Sequence, residues 1–210
     1  MSKIADVKQK VESGKLREIE AVVQEALDAG DDPMEILNEG MIAAMAVVGA
    51  KFQKGDIFVP EMLIAAKTMK KGVEVLKPKL AAGATTSYGT CVIGTVHGDL
   101  HDIGKNLVSL MIESAGFKVI DLGVDVPVAT FIDTIKANPD TKIVALSALL
   151  TTTMPALKET AAAIKASGMS GFKLIVGGAP VNQAFADEIG ADGYSEDAAS
   201  AAALAQKLAA

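Results

Sequence analysis

The hydrophobic pattern changes period near residue 85, and this change limits the possible folds more than any other feature of the chain. Before it, apolar residues recur at helical spacing. Ile4, Val7 and Val11 form one stripe, with Gly14 as a stop. A second segment, over about residues 15–29, places Leu16, Ile19, Val22, Val23, Ala26 and Leu27 on one face and ends at Gly30. A third starts at Pro33, where Asp31 and Asp32 are suited to cap it, and carries Ile36, Leu37, Met41, Met45 and Val48. The fourth follows Pro60 through Met62, Leu63, Ala66, Met69 and Val73 towards Leu80. Four amphipathic helices with short joints predict a four-helix bundle.

After residue 85, short β-rich runs (CVIGTV, FKVIDLG, KIVALSAL, FKLIVGG) alternate with helical stretches. A last strand is expected near residues 191–194, then a helix from Glu196. Such alternation predicts βαβ units and a parallel sheet covered on both faces. The expected fold class is therefore α + α/β. An N-terminal four-helix bundle occupies residues 1–84, and a Rossmann-like or flavodoxin-like five-stranded parallel sheet occupies residues 85–210. The small, polar stretch AAGATTSYG, residues 81–89, reads as a linker and a natural hinge between them.

Composition narrows the function classes. The net charge of −6, with Lys and Arg scattered, argues against nucleic acid as a partner. No apolar run is long enough to cross a membrane, and the amphipathic start MSKIADVKQKVESG lacks the apolar block of a secretory signal. A cytoplasmic protein without a membrane partner is expected. The single cysteine, Cys91, lies in the apolar run TCVIGTV and reads as a buried, inert thiol.

In open parallel sheets, ligands bind at the carboxyl ends of the strands. The unusual residues of this sequence fall there. HGDLHDIGKN, residues 97–106, follows the first predicted strand and holds both histidines of the chain. A zinc site built on His97 and His101 would need further ligands, for which Asp99 or Asp102 could serve only if the loop geometry obliged.

Asp99-Leu-His101-Asp-Ile-Gly104 matches the DxHxxG motif of B12-binding domains, and Ser147-Ala-Leu149 and Gly177-Gly178 supply that family's SxL and GG at family spacing. FQKGDIFVPEMLIAAKTM, residues 52–69, is similar to the cap region of methionine synthase and of the small corrinoid proteins of anaerobic methyltransferase systems. The resemblance covers nearly the whole chain. It implies a cap domain followed by a B12-binding domain, and a cobalamin or related corrinoid held base-off, with His101 on cobalt. Asp99 would hold the second imidazole nitrogen, fixing tautomer and basicity. Thr153 or Thr151 would extend that relay, and similarity to methionine synthase favours Thr153. Asp102, Ile103 and Gly104 would lie against the corrin or its nucleotide tail. Ser147, Leu149, Gly177 and Gly178 would line the tail's channel, the glycines allowing backbone close to a bulky ligand. Phe58, Met62 and Leu63 would shield the upper face, with Val59 nearby. His97 stands where methionine synthase has lysine, and no role follows for it.

The resemblance also implies an activity. A substrate:corrinoid methyltransferase would methylate the cobalt, giving the methylcobalamin form. A second enzyme, a methylcorrinoid:tetrahydrofolate or coenzyme M methyltransferase, would accept the methyl group, and a reductive activase would restore inactive cobalt. The carrier itself would be a non-catalytic subunit. A B12-dependent sensor is the alternative, although it usually carries a DNA-binding or signalling domain. A mutase small subunit would share DxHxxG without needing the cap, and a response-regulator-like domain would predict neither motifs nor bundle.

Overall fold

The computed structural model describes residues 2–79 and 88–210. The chain divides into two compact units, with the main boundary between Ser87 and Tyr88. Residues 81–87 of the expected linker lie outside the described residues.

The helical unit contains α1 (Ile4–Glu12), α2 (Ile19–Asp28), α3 (residues 33–53) and α4 (Val59–Leu76). Each boundary has a local cause. Asp32 caps α3 by accepting from the Met34 and Glu35 N–H groups at 2.9 and 3.1 Å, and Pro33 supplies a preset first helical residue. Gly14 ends α1 in the left-handed region at φ +63°, where a Cβ would also lie 2.6 Å from Ile64. The second helix starts at Ile19, later than its apolar pattern suggests, because residues 15–18 form a turn closed by Glu18 N–H on the Lys15 carbonyl. The α-helical part of α4 ends at Leu76, short of Leu80, and passes into the 3-10 turn Lys77–Lys79. Pro78 explains the change, since its ring cannot continue an α-helix.

Within α3, Ile36–Ile42 is wound as a π-helix, a feature the residue spacing does not announce. Gly40 lies in this stretch, and a Cβ there would stand 3.2 Å from Val7 of α1. On α4, the buried residues Met62, Ala65, Ala66, Met69, Gly72 and Leu76 form one stripe. At Gly72 the space of a Cβ is taken by Met41 and Ile19, so three helices meet at that glycine.

The α/β unit runs β1 (Thr90–Thr95), α5 (Ile103–Ser114), β2 (Lys118–Asp121), α6 (Val128–Ala137), β3 (Thr141–Ser147), α7 (Met154–Ala166), β4 (Lys173–Gly177), α8 (Gln183–Ile189), β5 (Gly193–Tyr194) and α9 (Ala198–Ala209). The five strands are parallel in the order β2-β1-β3-β4-β5. β1 is buried along its whole length, as a central strand covered on both faces requires. Phe131, Leu157 and Ile164 are fully buried in the core, and Gly94 of β1 admits the Phe131 ring, which would stand 2.8 Å from a Cβ.

Register then sets up the site. Thr95 pairs with Ser147, and Ser147 pairs with Gly177, so β1, β3 and β4 end level with one another. The three following loops leave side by side, at the edge where the order of strands reverses.

Candidate functional site

The loop after β1 is folded around one carboxylate. Asp99 is fully buried and accepts four hydrogen bonds. Its Oδ1 receives His101 N–H at 3.1 Å and faces His101 Nδ1 at 2.7 Å. Its Oδ2 receives Leu149 N–H and the Thr153 hydroxyl, each at 2.7 Å. Burial by itself would raise the Asp99 pKa. The bonds from Leu149, Thr153 and His101 outweigh it and hold the carboxyl below the ordinary carboxylate range.

An ionised carboxylate only accepts, so the proton of a neutral His101 sits on Nδ1 and Nε2 keeps its lone pair. The imidazole is about half exposed, at 48%. Thr95 completes the mount by donating its hydroxyl to the His101 carbonyl at 2.9 Å. The result is a basic nitrogen whose tautomer is fixed by a buried anion, the arrangement found behind metal-bound histidines. Among the described residues no three His, Cys, Asp or Glu side chains converge as a metal-binding set. His101 thus presents one available imidazole nitrogen, a chemistry suited to a metal whose remaining positions a macrocycle fills.

The surroundings fit such a group. Leu100 is 72% exposed, Ile103 85%, and Leu149 and Leu150 42% each. These four are the exposed large hydrophobic side chains described in the α/β unit, and all flank the His101 and Leu149 loops, which Asp99 joins. Apolar side chains concentrated at one edge mark a surface for a large ligand. Gly104, in the first turn of α5, points the same way. A Cβ there would meet nothing within 4 Å, and its backbone is not left-handed, so the protein's own packing does not demand glycine.

The other glycines have a different cause. At Gly178, φ is +125° and a Cβ would lie 1.8 Å from the Ala148 carbonyl oxygen; at Gly177 it would lie 3.2 Å from the Ser195 carbonyl. The close approach here is made by the protein's own backbone. Ser147 lies beside them, half-buried, its carbonyl accepting Val96 N–H.

Of the two threonines considered for the relay, Thr153 reaches Asp99, whereas Thr151 is exposed. Asp102 is exposed and accepts from Asn106 at 3.1 Å. In the helical unit, Phe58 is exposed, Leu63 half-buried and Met62 fully buried. Cys91 is buried in β1, and desolvation, followed by the charge of Asp121, pushes its thiol up to about 12.

Sequence reasoning passed over several residues that complete the site. Leu100 and Leu150 carry no motif of their own, and the structure shows them exposed on the two loops that Asp99 joins. Asp125 donates its backbone N–H to the Asp99 carbonyl from the β2–α6 loop, and the buried Lys105 of α5 pairs with Asp121 of β2; both pairings needed the strand order to be known. No helix among the described residues is long and apolar enough to cross a membrane.

Comparison with known proteins gives the same reading. A B12 binding domain family matches residues 89–203, and a second B12 binding domain family matches residues 4–77. The chain is 48% identical to trimethylamine corrinoid protein 1 of Methanosarcina mazei, over 84% of this chain and 83% of the relative. It is 46% identical to dimethylamine corrinoid protein 1 of Methanosarcina acetivorans, over 84% of each. Among solved structures, a cobalamin-binding protein from Desulfitobacterium hafniense superposes with a TM-score of 0.83 at 33% identity, over 98% of each chain. The methanol:cobalamin methyltransferase complex MtaBC of Methanosarcina barkeri superposes with a TM-score of 0.86 at 31% identity, over 99% of this chain and 79% of the other. With its motifs, its fold and these relatives in agreement, the chain belongs to the family of B12-binding corrinoid proteins of methyltransferase systems.

Proposed function

We propose that the protein is a cytoplasmic methyl carrier that holds a corrinoid base-off, with His101 Nε2 as the lower axial ligand. The observation that carries this reading is the half-exposed imidazole, mounted on a buried carboxylate that joins two loops carrying exposed Leu100, Ile103, Leu149 and Leu150. When bound, the corrinoid supplies a cobalt centre that takes up and releases a methyl group. The chain supplies the rest. Asp99 keeps the proton on Nδ1 and strengthens Nε2 as a donor. Thr153 and the Leu149 N–H keep Asp99 ionised. Were His101 to leave the metal, its Nε2 would be free to take a proton, and Asp99 would face the resulting imidazolium. Asp102, Ile103 and Gly104 meet the ring. Ser147 and Leu149, with Gly177 and Gly178 shaping the wall, would line the channel of the nucleotide tail, and exposed Thr151 would contact the cofactor. Phe58, Met62 and Leu63, of the cap domain at residues 1–84, would shield the methyl group. The B12-binding domain occupies residues 85–210.

In this role the protein docks with a substrate:corrinoid methyltransferase and passes the methyl group to a tetrahydrofolate or coenzyme M methyltransferase, while a reductive activase recovers oxidised cobalt. Relatives named for trimethylamine and dimethylamine make methylated amines the first donors to test.

The test is anaerobic reconstitution with hydroxocobalamin, followed by desalting, for wild type and His101→Ala. Wild type should retain a corrinoid spectrum, and its Co(II) form should show a nitrogen coupling in electron paramagnetic resonance. His101→Ala should lose that coupling. A wild type that retains no corrinoid would end the proposal.

A further inference from the structure

The second histidine is mounted like the first. His97 Nδ1 lies 2.7 Å from Asp125 Oδ1, and the same oxygen receives Gly98 N–H at 2.7 Å. Asp125 is itself tied to the ligand loop, because its backbone N–H donates to the Asp99 carbonyl at 2.9 Å. It also holds φ at +51°, the only non-glycine residue among those described with positive φ. Gly98, between the two histidine mounts, adopts φ +81° and stands beside Thr153, whose methyl would lie 4.0 Å from a Cβ at this position. The β2–α6 loop thus adopts an uncommon backbone conformation where it holds His97, and such conformations gather at functional positions.

The chemistry of His97 follows from its mount. Asp125 only accepts, so a neutral His97 carries its proton on Nδ1, and Nε2 is left as an acceptor on a side chain 69% exposed. The N–H hydrogen bond from Gly98, working against desolvation and joined by His97, keeps Asp125 below the ordinary carboxylate range and therefore anionic. An exposed acceptor fixed on the loop of the axial histidine is complementary to an N–H donor at the edge of the bound ring. A corrin carries such donors around its rim, as side-chain carboxamides.

We propose that His97 is a corrinoid-recognition residue, its Nε2 accepting a hydrogen bond from a carboxamide N–H of the corrin periphery. The inference rests on the corrinoid reading of the site. It gives His97 a positioning role in which it fixes the rotation of the ring about the cobalt–His101 axis.

The chain has two histidines, so both imidazoles can be followed by 15N labelling and assigned with His101→Ala. Hydroxocobalamin is titrated into wild type, His97→Ala and His97→Gln, with equilibrium binding read by absorbance and the imidazole nitrogens by NMR. One hydrogen bond corresponds to about a 3- to 10-fold weaker dissociation constant in His97→Ala. His97→Gln, which restores an acceptor, should recover most of it. In wild type the His97 Nε2 resonance should move on binding while Nδ1 stays protonated, a response that a purely structural role would not give. Unchanged affinity in His97→Ala, or a His97 signal indifferent to cobalamin, overturns the inference. The corrinoid reading survives that result as long as wild type shows the axial nitrogen and His101→Ala lacks it. Wild type that binds no cobalamin overturns both.

Discussion

Replacing Gly104 by alanine separates what the fold needs from what the ligand needs. Gly104 is the second residue of α5, its backbone is not left-handed, and an added Cβ would meet no atom within 4 Å. In the free protein the change should therefore help, because glycine in a helix is less favourable than alanine by about 0.5–1 kcal/mol. For a chain of this length that is about 1–4 °C in melting temperature. In the loaded protein the same methyl would occupy space that the proposed site reserves for corrin. Overpacking by one methyl costs about 1–3 kcal/mol, or roughly 5- to 150-fold in affinity. Thermal unfolding by circular dichroism reads the first effect, and cobalamin titration by absorbance reads the second. The variant should be more stable yet bind more weakly. A melting temperature lowered by several degrees would show that the fold itself demands this glycine. Unchanged affinity would show that the open space above α5 is not ligand space.

Other substitutions carry their own signs. Gly178→Ala should be destabilising in urea unfolding by at least about 3 kcal/mol, because a Cβ would lie 1.8 Å from the Ala148 carbonyl at φ +125°. Thr153→Val keeps the shape but removes a hydrogen bond to the buried Asp99, so about 1.5–3 kcal/mol of stability should be lost in the same assay. Cys91, with its thiol pushed up to about 12 by burial, should be inert to a disulfide reagent at pH 8 in the native protein and react at once in denaturant.

The architecture was legible because its signals are local. The period changes from helical to strand-like near residue 85, Asp32 and Pro33 mark a helix start, and glycines mark the stops. Legibility ended where the cause is a distant neighbour. The π-helical turn at Ile36–Ile42 lies where α3 meets Val7 at Gly40, and nothing in the spacing of ILNEGMI encodes it. The site divides in the same way. DxHxxG is contiguous, so Asp99 and His101 could be read together. That Thr153 and not Thr151 reaches Asp99 depends on the phase of a 3-10 turn following Leu150. Glycines were readable as close approaches, but not what they approach: Gly177 and Gly178 face backbone, and Gly104 faces open space. Asp125 could not be paired with His97 before β2 was known to lie beside β1.

The four bonds to Asp99 make one group responsible both for the basicity of His101 and for the join between the β1 and β3 loops. Those tasks can be separated by comparing two variants. His101→Ala removes the axial nitrogen but leaves Asp99 bonded to Leu149 and Thr153, so the loops should stay closed. Asp99→Ala removes the anchor, and the Leu149 N–H loses its acceptor. Hydrogen exchange at that amide should then quicken by about 10- to 100-fold, the equivalent of a charge-assisted bond of about 1.5–3 kcal/mol, while in His101→Ala it stays as in wild type. Acid should act as Asp99→Ala does. Because folding lowers the Asp99 pKa, its stabilisation is fully present above the unfolded value, about 4, and is lost as pH falls through the lower folded value. The difference in stability between wild type and Asp99→Ala should therefore hold from neutral pH to about 4 and narrow below it. If exchange at Leu149 were equally fast in both variants, the loops would be held together by the imidazole rather than the carboxylate, and Asp99 would be a tautomer clamp alone.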